Sequence, residues 1–199
     1  DGAHGAHLPF LDDFSLSAAD ILVISAHKTL PALGQSALLL AGPQYPQREL
    51  RRAASLYGSS SPSYPIMASL DAARAFLKGE GGQRYQKTAV SVSALRDRFP
   101  TLRENCNPLD PCRLVVHTAD GLALQASLEQ RGIYPEMADR GHVVFICTCA
   151  DTDADFTRLA EALTELMPAD PQPTACIQCP PSPQAVLTPR EALFAPREY

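Results

Sequence analysis

Lys28 is the residue of this chain whose surroundings best suit covalent chemistry. It follows an apolar run at positions 21–25 and comes directly after Ser25, Ala26 and His27. An amine at the end of a buried strand, close to a cation or a phosphate, keeps its lone pair available for Schiff-base formation with a carbonyl group. A lone lysine is usually a surface residue, so this hypothesis needs support from elsewhere in the sequence.

The support is at the start of the chain, which reads Asp-Gly-Ala-His. An aspartate opposite a pyridine nitrogen keeps a pyridoxal ring protonated, and the protonated ring can absorb the charge of a carbanion. Asp1 could therefore pair with the ring nitrogen of a pyridoxal group bound to Lys28. The alternative interpretation is a turn that contains an incidental histidine at position 4.

The composition limits the classes of protein that need to be considered. The chain has 199 residues, 45% hydrophobic and 20% charged, which suits one good-sized domain or two small ones. The net charge of -5 and the absence of a basic run argue against nucleic acid as a partner. Neither a stretch of about 20 apolar residues nor a signal peptide is present, so we expect no membrane partner and a cytoplasmic protein.

The first hundred residues read as alternating apolar runs, helical patterns and turns. The serine- and proline-rich segment 59–65 is predicted as a loop, and the glycines at 79–82 are predicted to end a helix. The predicted elements are a buried strand at 21–25, a second apolar run at 38–40, and helices at 47–56, 66–77 and 86–99.

The second half of the chain predicts a small α/β layer with its helices on one face. Strands are predicted at 113–117 and 141–148, and helices at 122–130 and 156–167. Asp151, Thr152 and Asp153 are suited to cap the start of the last helix. The residues from 168 to 183 are rich in proline, which predicts irregular structure.

Five ordered blocks of the sequence resemble the bacterial ornithine/lysine/arginine decarboxylases, a pyridoxal-phosphate-dependent family with the aspartate aminotransferase fold. Any one block would be a weak signal, whereas five in order are specific. Looser likeness continues through GIYPEMAD at 132–139 and TPREA at 188–192. The five blocks are DGAHGAHL at 1–8, SAHKTL at 25–30, LGQS at 33–36, SSPSY at 60–64 and ASLD at 68–71.

The resemblance implies an α/β fold: an incomplete large domain of the fold type I transferases, followed by a small α/β C-terminal domain. The expected parts are the C-terminal portion of the major domain at 1–85, the small domain at 86–170 and a proline-rich tail at 171–199. The family's N-terminal half supplies a glycine-containing phosphate loop and a residue stacked on the ring. Neither is found in this sequence, and the chain starts without a methionine, so we expect a fragment.

The resemblance also implies roles for individual residues toward pyridoxal 5'-phosphate. Lys28 would hold the cofactor through its ε-amine, Asp1 would pair with the ring nitrogen, and His4 would contact the ring hydroxyl. The phosphate would be met by the remaining residues of the matched blocks. These are Ser25 and His27 at the strand end, together with Ser60 and Ser61, which in such dimers reach the neighbouring subunit. His7 has no assigned role: it lies near the site or on the surface.

The activity implied by the resemblance is decarboxylation of arginine, lysine or ornithine to a polyamine-type amine by a homo-oligomer. An acidic group should meet the far end of such a substrate, and Glu136 and Asp139 are candidates, although both could be solvated surface residues. Two alternatives stay open. One is an aminotransferase or carbon-carbon bond-forming synthase of the same fold, and the other is a truncated chain without catalytic function.

The six cysteines allow a competing hypothesis of a zinc site. Cys147 and Cys149 would lie on one face of a strand, and Cys176 and Cys179 have the spacing of a zinc knuckle. The two pairs are far apart in the sequence, and Cys106 and Cys112 have no part in such a site. We therefore predict no metal and interpret the cysteines as reduced core and surface thiols.

Overall fold

The computed structural model describes residues 1–11, 19–103, 108–167 and 186–196. The first half of the chain contains a two-stranded sheet followed by helices. Its elements are a 3-10 turn Leu8–Phe10, β1 Ile21–Ser25, α1 Ala26–Thr29, β2 Ala37–Ala41, α2 Gln47–Tyr57, α3 Tyr64–Phe76, a π-helical turn Leu77–Gly81 and α4 Gly82–Arg98.

The second half alternates strands and helices, as the sequence predicts, with one short strand in addition. Its elements are β3 Arg113–His117, α5 Gly121–Gln130, β4 Met137–Ala138, β5 His142–Ile146, α6 Asp153–Leu166 and a short helix α7 Pro189–Phe194. The proline-rich segment 168–185 and Cys106 lie outside the described residues.

The strand pairings in both sheets are antiparallel. β1 pairs with β2, with Val23 opposite Leu39. The second sheet has the order β3-β5-β4, with Val115 opposite Val144. Its buried strand residues alternate with half-buried ones, so one face of this sheet carries the core.

The main core lies between that face and the helices α4, α5 and α6. Because the buried side chains of all three helices join the buried strand residues in one cluster, the prediction of helices on one face of a small α/β layer is confirmed. The fully buried members are Val92, Leu114, Val116, Leu128, Val143 and Leu163.

The start of α6 agrees with the predicted cap. Thr152 is the N-cap residue: its hydroxyl accepts from the backbone of Asp155, whose carboxylate in turn accepts from the backbone N–H of Thr152 at 2.9 Å. This capping box satisfies two backbone donors that a helix start otherwise leaves unpaired.

The strand predicted at 21–25 is present, but the prediction that it is buried is only half correct. Leu22 and Ile24 are buried against Ala6, whereas Ile21 and Val23 are 43% and 50% exposed. Every residue of β2 is exposed as well. The described residues therefore cover one face of β1 and leave the other open.

The glycines at 79–82 separate two helices, as predicted. Gly79 has non-helical dihedrals (φ -86°, ψ -106°), so the chain kinks at this residue between the helix that begins at Tyr64 and α4, which begins at Gly82. The predicted domain boundary at 85/86 falls inside α4, and the division into domains stays a prediction.

Gly121, the first residue of α5, has no room for a side chain. A Cβ atom there would lie 2.2 Å from the carbonyl oxygen of Asp139 and 2.4 Å from that of His142. We expect Gly121→Ala to lower the free energy of unfolding of the small layer by about 1–3 kcal/mol. Thermal unfolding would measure the loss, with Gly34→Ala as control, because a Cβ at Gly34 meets nothing within 4 Å. Equal melting temperatures for the two variants would contradict the prediction.

Within the described ranges, no helix is both long and apolar enough to cross a membrane.

Candidate active site

The first residues of the chain are held beside β1. The backbone N–H of Gly2 donates to the carbonyl of Val23 at 2.9 Å, and that of Gly5 donates to the carbonyl of Gly2 at 2.8 Å. The second bond closes a tight turn, which carries His4 on its outside. Lys28 lies in α1, directly after β1, so both side chains lie near the same end of this strand.

The structure brings Lys28 and His4 together. Nζ of Lys28 lies 3.3 Å from Nε2 of His4, although the two residues are 24 positions apart. Both are exposed, so the described residues do not provide the desolvation that the sequence interpretation assumed for this amine. The roles of the two residues toward a cofactor stay predictions.

Asp1 lies beside His4 on the wall of an open cavity of about 510 Å³, which Leu8 and Asp110 also line. One carboxylate oxygen of Asp1 accepts from the backbone N–H of Ala3 at 2.9 Å. This bond orients the carboxylate and leaves its second oxygen for another donor. A cavity of this size is in the range of small-molecule sites.

Ser25 and His27 flank the start of α1, where the sequence predicts phosphate contacts. Nδ1 of His27 faces the carbonyl oxygen of Ser36 at 2.9 Å. Because a carbonyl only accepts, this nitrogen carries the hydrogen, and Nε2 of the neutral ring is then an acceptor. His27 could therefore donate to a phosphate through Nε2 only as an imidazolium.

Ser60 and Ser61 lie in the exposed loop between α2 and α3. Within this loop the hydroxyl of Ser59 accepts from the backbone N–H of Ser61 at 3.0 Å. The loop is not brought to Lys28 within the described chain. A role for the two serines at a neighbouring subunit stays a prediction.

Sequence reasoning missed Arg113 and Asp110 as site residues. Nη2 of Arg113 lies 2.8 Å from Nδ1 of His4, and Nε of Arg113 donates to a carboxylate oxygen of Asp110 at 3.3 Å. The sequence predicts Arg113 only as the first residue of a strand, and Asp110 carries no prediction. The spacing of these residues gives no signal for a contact across 109 positions.

His7 is buried, so the surface alternative for this residue is wrong. Its Nε2 lies 2.9 Å from Oδ1 of Asp110, which also accepts from the backbone N–H of Cys112. Although burial opposes the effect, the hydrogen bond from His7 and the neighbouring Arg113 hold the pKa of Asp110 below its usual range. The charged Asp110 thus links His7 of the N-terminal segment to Arg113 of β3.

The surroundings of His4 favour its neutral form. Partial burial lowers the pKa of His4, and the positive charges of Lys28 and Arg113 lower it further, while the carboxylates of Glu136 and Asp110 act in the opposite direction. The imidazole is therefore uncharged at neutral pH.

The two acidic candidates for substrate recognition differ in their surroundings. Asp139 is occupied in a turn, where one of its oxygens accepts from the backbone N–H groups of Gly141 and His142 at 2.7 and 2.8 Å. These bonds lower the pKa of Asp139. Glu136 is exposed, and its charge acts on His4. Of the two, Glu136 is the one near the site.

Three cysteines are core thiols, as the sequence interpretation favours: Cys112, Cys147 and Cys149 are buried and free. Burial raises the pKa of Cys112 and of Cys147 to about 12, which disfavours the thiolate form that zinc requires. Cys176 and Cys179 lie outside the described residues.

His7, Asp110 and Cys112 bring three potential metal-ligating atoms within 4.8 Å of one another. Both oxygens of Asp110 already accept hydrogen bonds, and the guanidinium of Arg113 balances its charge. We therefore interpret the cluster as a polar network in which Asp110 joins His7 to Arg113.

Comparison with solved structures places this architecture among the fold type I enzymes. Constitutive lysine decarboxylase from Escherichia coli superimposes with a TM-score of 0.61 at 22% identity, over 73% of this chain and 28% of the other. A structure described as SPT with PLP gives a TM-score of 0.56 at 15% identity, over 73% of this chain and 39% of the other.

Residues 1–118 match the family model of the Orn/Lys/Arg decarboxylase major domain, and the chain belongs to this family. An arginine decarboxylase from Bacillus subtilis is 30% identical over the whole chain, which covers 46% of that relative. The uncharacterized protein YaaO from the same organism is 37% identical over 73% of this chain and 34% of its own length. The chain thus spans less than half the length of these relatives.

Proposed function

We propose that this protein takes part in the pyridoxal-phosphate-dependent decarboxylation of a basic amino acid. The observation that carries the proposal is the approach of the Lys28 amine to His4 beside Asp1, in a chain of the Orn/Lys/Arg decarboxylase family. An arginine decarboxylase and a lysine decarboxylase are among the similar proteins, which supports arginine or lysine as the substrate class.

The donor set fits the cofactor. A carboxylate and a neutral imidazole line one open cavity, and a primary amine lies 3.3 Å from the imidazole. These groups can meet a ring nitrogen, a ring oxygen and an aldehyde respectively. We assign Lys28 to the aldehyde carbon, Asp1 to the ring nitrogen and His4 to the ring oxygen. Ser25 is assigned to the phosphate, and His27 joins it when protonated.

Each of these residues has a defined task in the reaction. Lys28 would hold the cofactor through its ε-amine. Asp1 holds the proton at the ring nitrogen, because its negative charge favours the protonated ring. When bound, pyridoxal phosphate supplies an electron sink for the pair left behind as the α-carboxylate departs as carbon dioxide.

Glu136 is the group that we assign to the distal positive charge of the substrate. Its carboxylate is exposed and close enough to act on His4, and a guanidinium or ammonium group would form a charge-assisted hydrogen bond with it. The proposal extends to a cytoplasmic homo-oligomer, with Ser60 and Ser61 on an exposed loop that could reach a neighbouring subunit.

Covalent trapping tests the assignment of Lys28. The full-length gene product, incubated with pyridoxal phosphate and then reduced with borohydride, should carry the cofactor on the peptide that contains Lys28. Lys78 and Lys87 are the other two lysines of this sequence, so peptide mass spectrometry separates the candidates clearly.

Matched variants complete this experiment. Lys28→Ala should abolish labelling within these 199 residues, whereas Lys78→Ala and Lys87→Ala should leave it unchanged. Labelling on Lys78 or Lys87 in the parent protein would overturn the assignment. Release of an α-keto acid instead of carbon dioxide from arginine or lysine would favour the aminotransferase alternative.

A further inference from the structure

Two side chains from the second half of the chain, Arg113 and Asp110, form an arm that reaches His4 through Arg113. Arg113, at the start of β3, donates from Nη2 to Nδ1 of His4 at 2.8 Å and from Nε to Asp110 at 3.3 Å. The side chains of Arg113 and Asp110 are only 19% and 22% exposed. The guanidinium is therefore held at two points, and its planar fork fixes the direction of the bond to His4.

Asp110, which holds Arg113, is itself bound to the N-terminal segment that carries His4. The other oxygen of Asp110 accepts from Nε2 of His7, whose side chain is 2% exposed. His4 and His7 are joined by one tight stretch of backbone, so the sequence of contacts from His4 through Arg113 and Asp110 to His7 closes on itself. This closed ring of contacts restrains the imidazole of His4 relative to the backbone of His4.

A second arginine fixes the backbone from which the arm extends. Nη2 of Arg96, on α4, donates to the carbonyl oxygens of Asp110 and Arg113 at 2.7 and 2.6 Å. Because α4 packs in the main core through Val92 and Leu95, the arm rests on a rigid element and not on a free loop.

The contacts of His4 determine where its hydrogen lies. Arginine has only donors, so Nδ1 of His4 must accept the bond from Arg113. A neutral imidazole then carries its single hydrogen on Nε2, which points at Nζ of Lys28 at 3.3 Å. The contact with Arg113 is the shorter of the two and fixes this tautomer, because an arginine nitrogen always donates. Only when Lys28 loses a proton, as attack on a carbonyl carbon requires, can its Nζ accept the Nε2 hydrogen.

We propose that Arg113 is a positioning residue that holds His4 in the tautomer with its hydrogen on Nε2, and that Asp110 and His7 hold Arg113 in place. The inference deepens the proposed function and rests on it for the chemistry: the Nε2 hydrogen is what His4 would offer to the ring oxygen of the bound cofactor. The tautomer itself is a property of this chain's residues and can be measured without the reaction.

The charged groups that face His4 come from several elements. Lys28 belongs to α1 and Arg113 to β3, while Asp110 precedes β3 and Glu136 precedes β4. Arg113 is the one of these four that donates to Nδ1, so its removal should change the tautomer as well as the charge around the ring.

Nitrogen NMR of the full-length gene product labelled in histidine tests this proposal. The resonances of His4 would be identified by their loss in His4→Gln. The parent should show the Nε2-hydrogen tautomer of His4, and Arg113→Met should give a mixture of both tautomers that titrates at higher pH. Arg103→Met is the control, since Arg103 contacts the exposed Asp97 at 3.2 Å and should leave His4 unchanged.

A second readout separates positioning from folding. Arg113→Met should lower kcat for decarboxylation by about tenfold or more with little change in KM, the usual size of losing a group that orients a functional histidine. Arg113→Lys keeps the charge but cannot bind His4 and Asp110 together, so it should restore kcat only in part. It also replaces Arg113→Met if that variant fails to fold.

The outcomes distinguish this inference from the proposed function. An unchanged His4 tautomer in both Arg113 variants overturns the inference, whatever the enzyme does. A protein that neither binds pyridoxal phosphate nor releases carbon dioxide overturns the proposed function, while the tautomer measurement still decides the role of Arg113.

Discussion

Replacing Asp1 by Ala in the full-length gene product should lower the rate of decarboxylation by several orders of magnitude while leaving pyridoxal phosphate bound. Without the carboxylate, the proton at the ring nitrogen has no partner, and an unprotonated ring is a poor electron sink. We expect the cofactor to stay attached, because the proposed function assigns Lys28 to a different atom of it. The measurements are carbon dioxide release from arginine and lysine, and the visible absorbance of the bound cofactor.

Two further variants make the result specific. Asp1→Asn keeps the size of the side chain and its bond to the backbone of Ala3, so it should be nearly as impaired if the charge is what matters. Asp97→Ala removes an exposed carboxylate, 76% accessible and far along α4, and should retain full activity. An Asp1→Ala enzyme within a few-fold of the parent would mean that another group holds the ring nitrogen.

The local patterns of the sequence were sufficient for most elements of the fold. Strand β3 has the predicted bounds 113–117, and α2 extends the predicted helix by one residue. These predictions succeed because periodicity and turn residues act over short distances along the chain. The helix break at Gly79 was predictable for the same reason, because a glycine-rich turn is a local signal.

The site was predictable only where its residues lie within matched blocks. His4 and Lys28 come from two such blocks, and their contact follows once β1 is formed. Arg113 and Asp110 could not be found in this way, because their contacts with His4 and His7 span 109 and 103 positions. Contacts of that range depend on how the two halves of the chain pack, and a single sequence carries no local signal for them.

The prediction that β1 is buried was only half correct, for a related reason. An apolar strand indicates that something covers it, but it does not say which residues do so. Here Ala6 and Leu30 cover one face, and Ile21 and Val23 stay exposed on the other. In addition, an apolar groove of about 670 Å³ runs along Ile24, Leu38, Leu40, Leu70 and Leu77.

These open surfaces lead to the last expected result: the 199 residues alone should bind pyridoxal phosphate weakly and should not decarboxylate arginine, lysine or ornithine. Lys28 and His4 are exposed, so water competes for every bond that they could offer the cofactor. The chain covers 46% of the Bacillus subtilis arginine decarboxylase, and the family resemblance implies that a phosphate loop and a ring-stacking residue come from an N-terminal half outside this sequence. The exposed apolar edge formed by β1 and β2 should also promote self-association.

The experiment is to purify this chain beside the full-length gene product, titrate both with cofactor, and follow carbon dioxide release and light scattering. Hydrogen exchange should still show protected amides between Arg113 and Met167, because the core of β3, β5 and α6 is buried within this chain. Loss of turnover together with that protection would indicate an incomplete site on an intact small layer. Turnover of about 1 per second or faster by the chain alone, in the range of ordinary enzymes, would mean that these residues complete the site themselves, for example by pairing with a second copy.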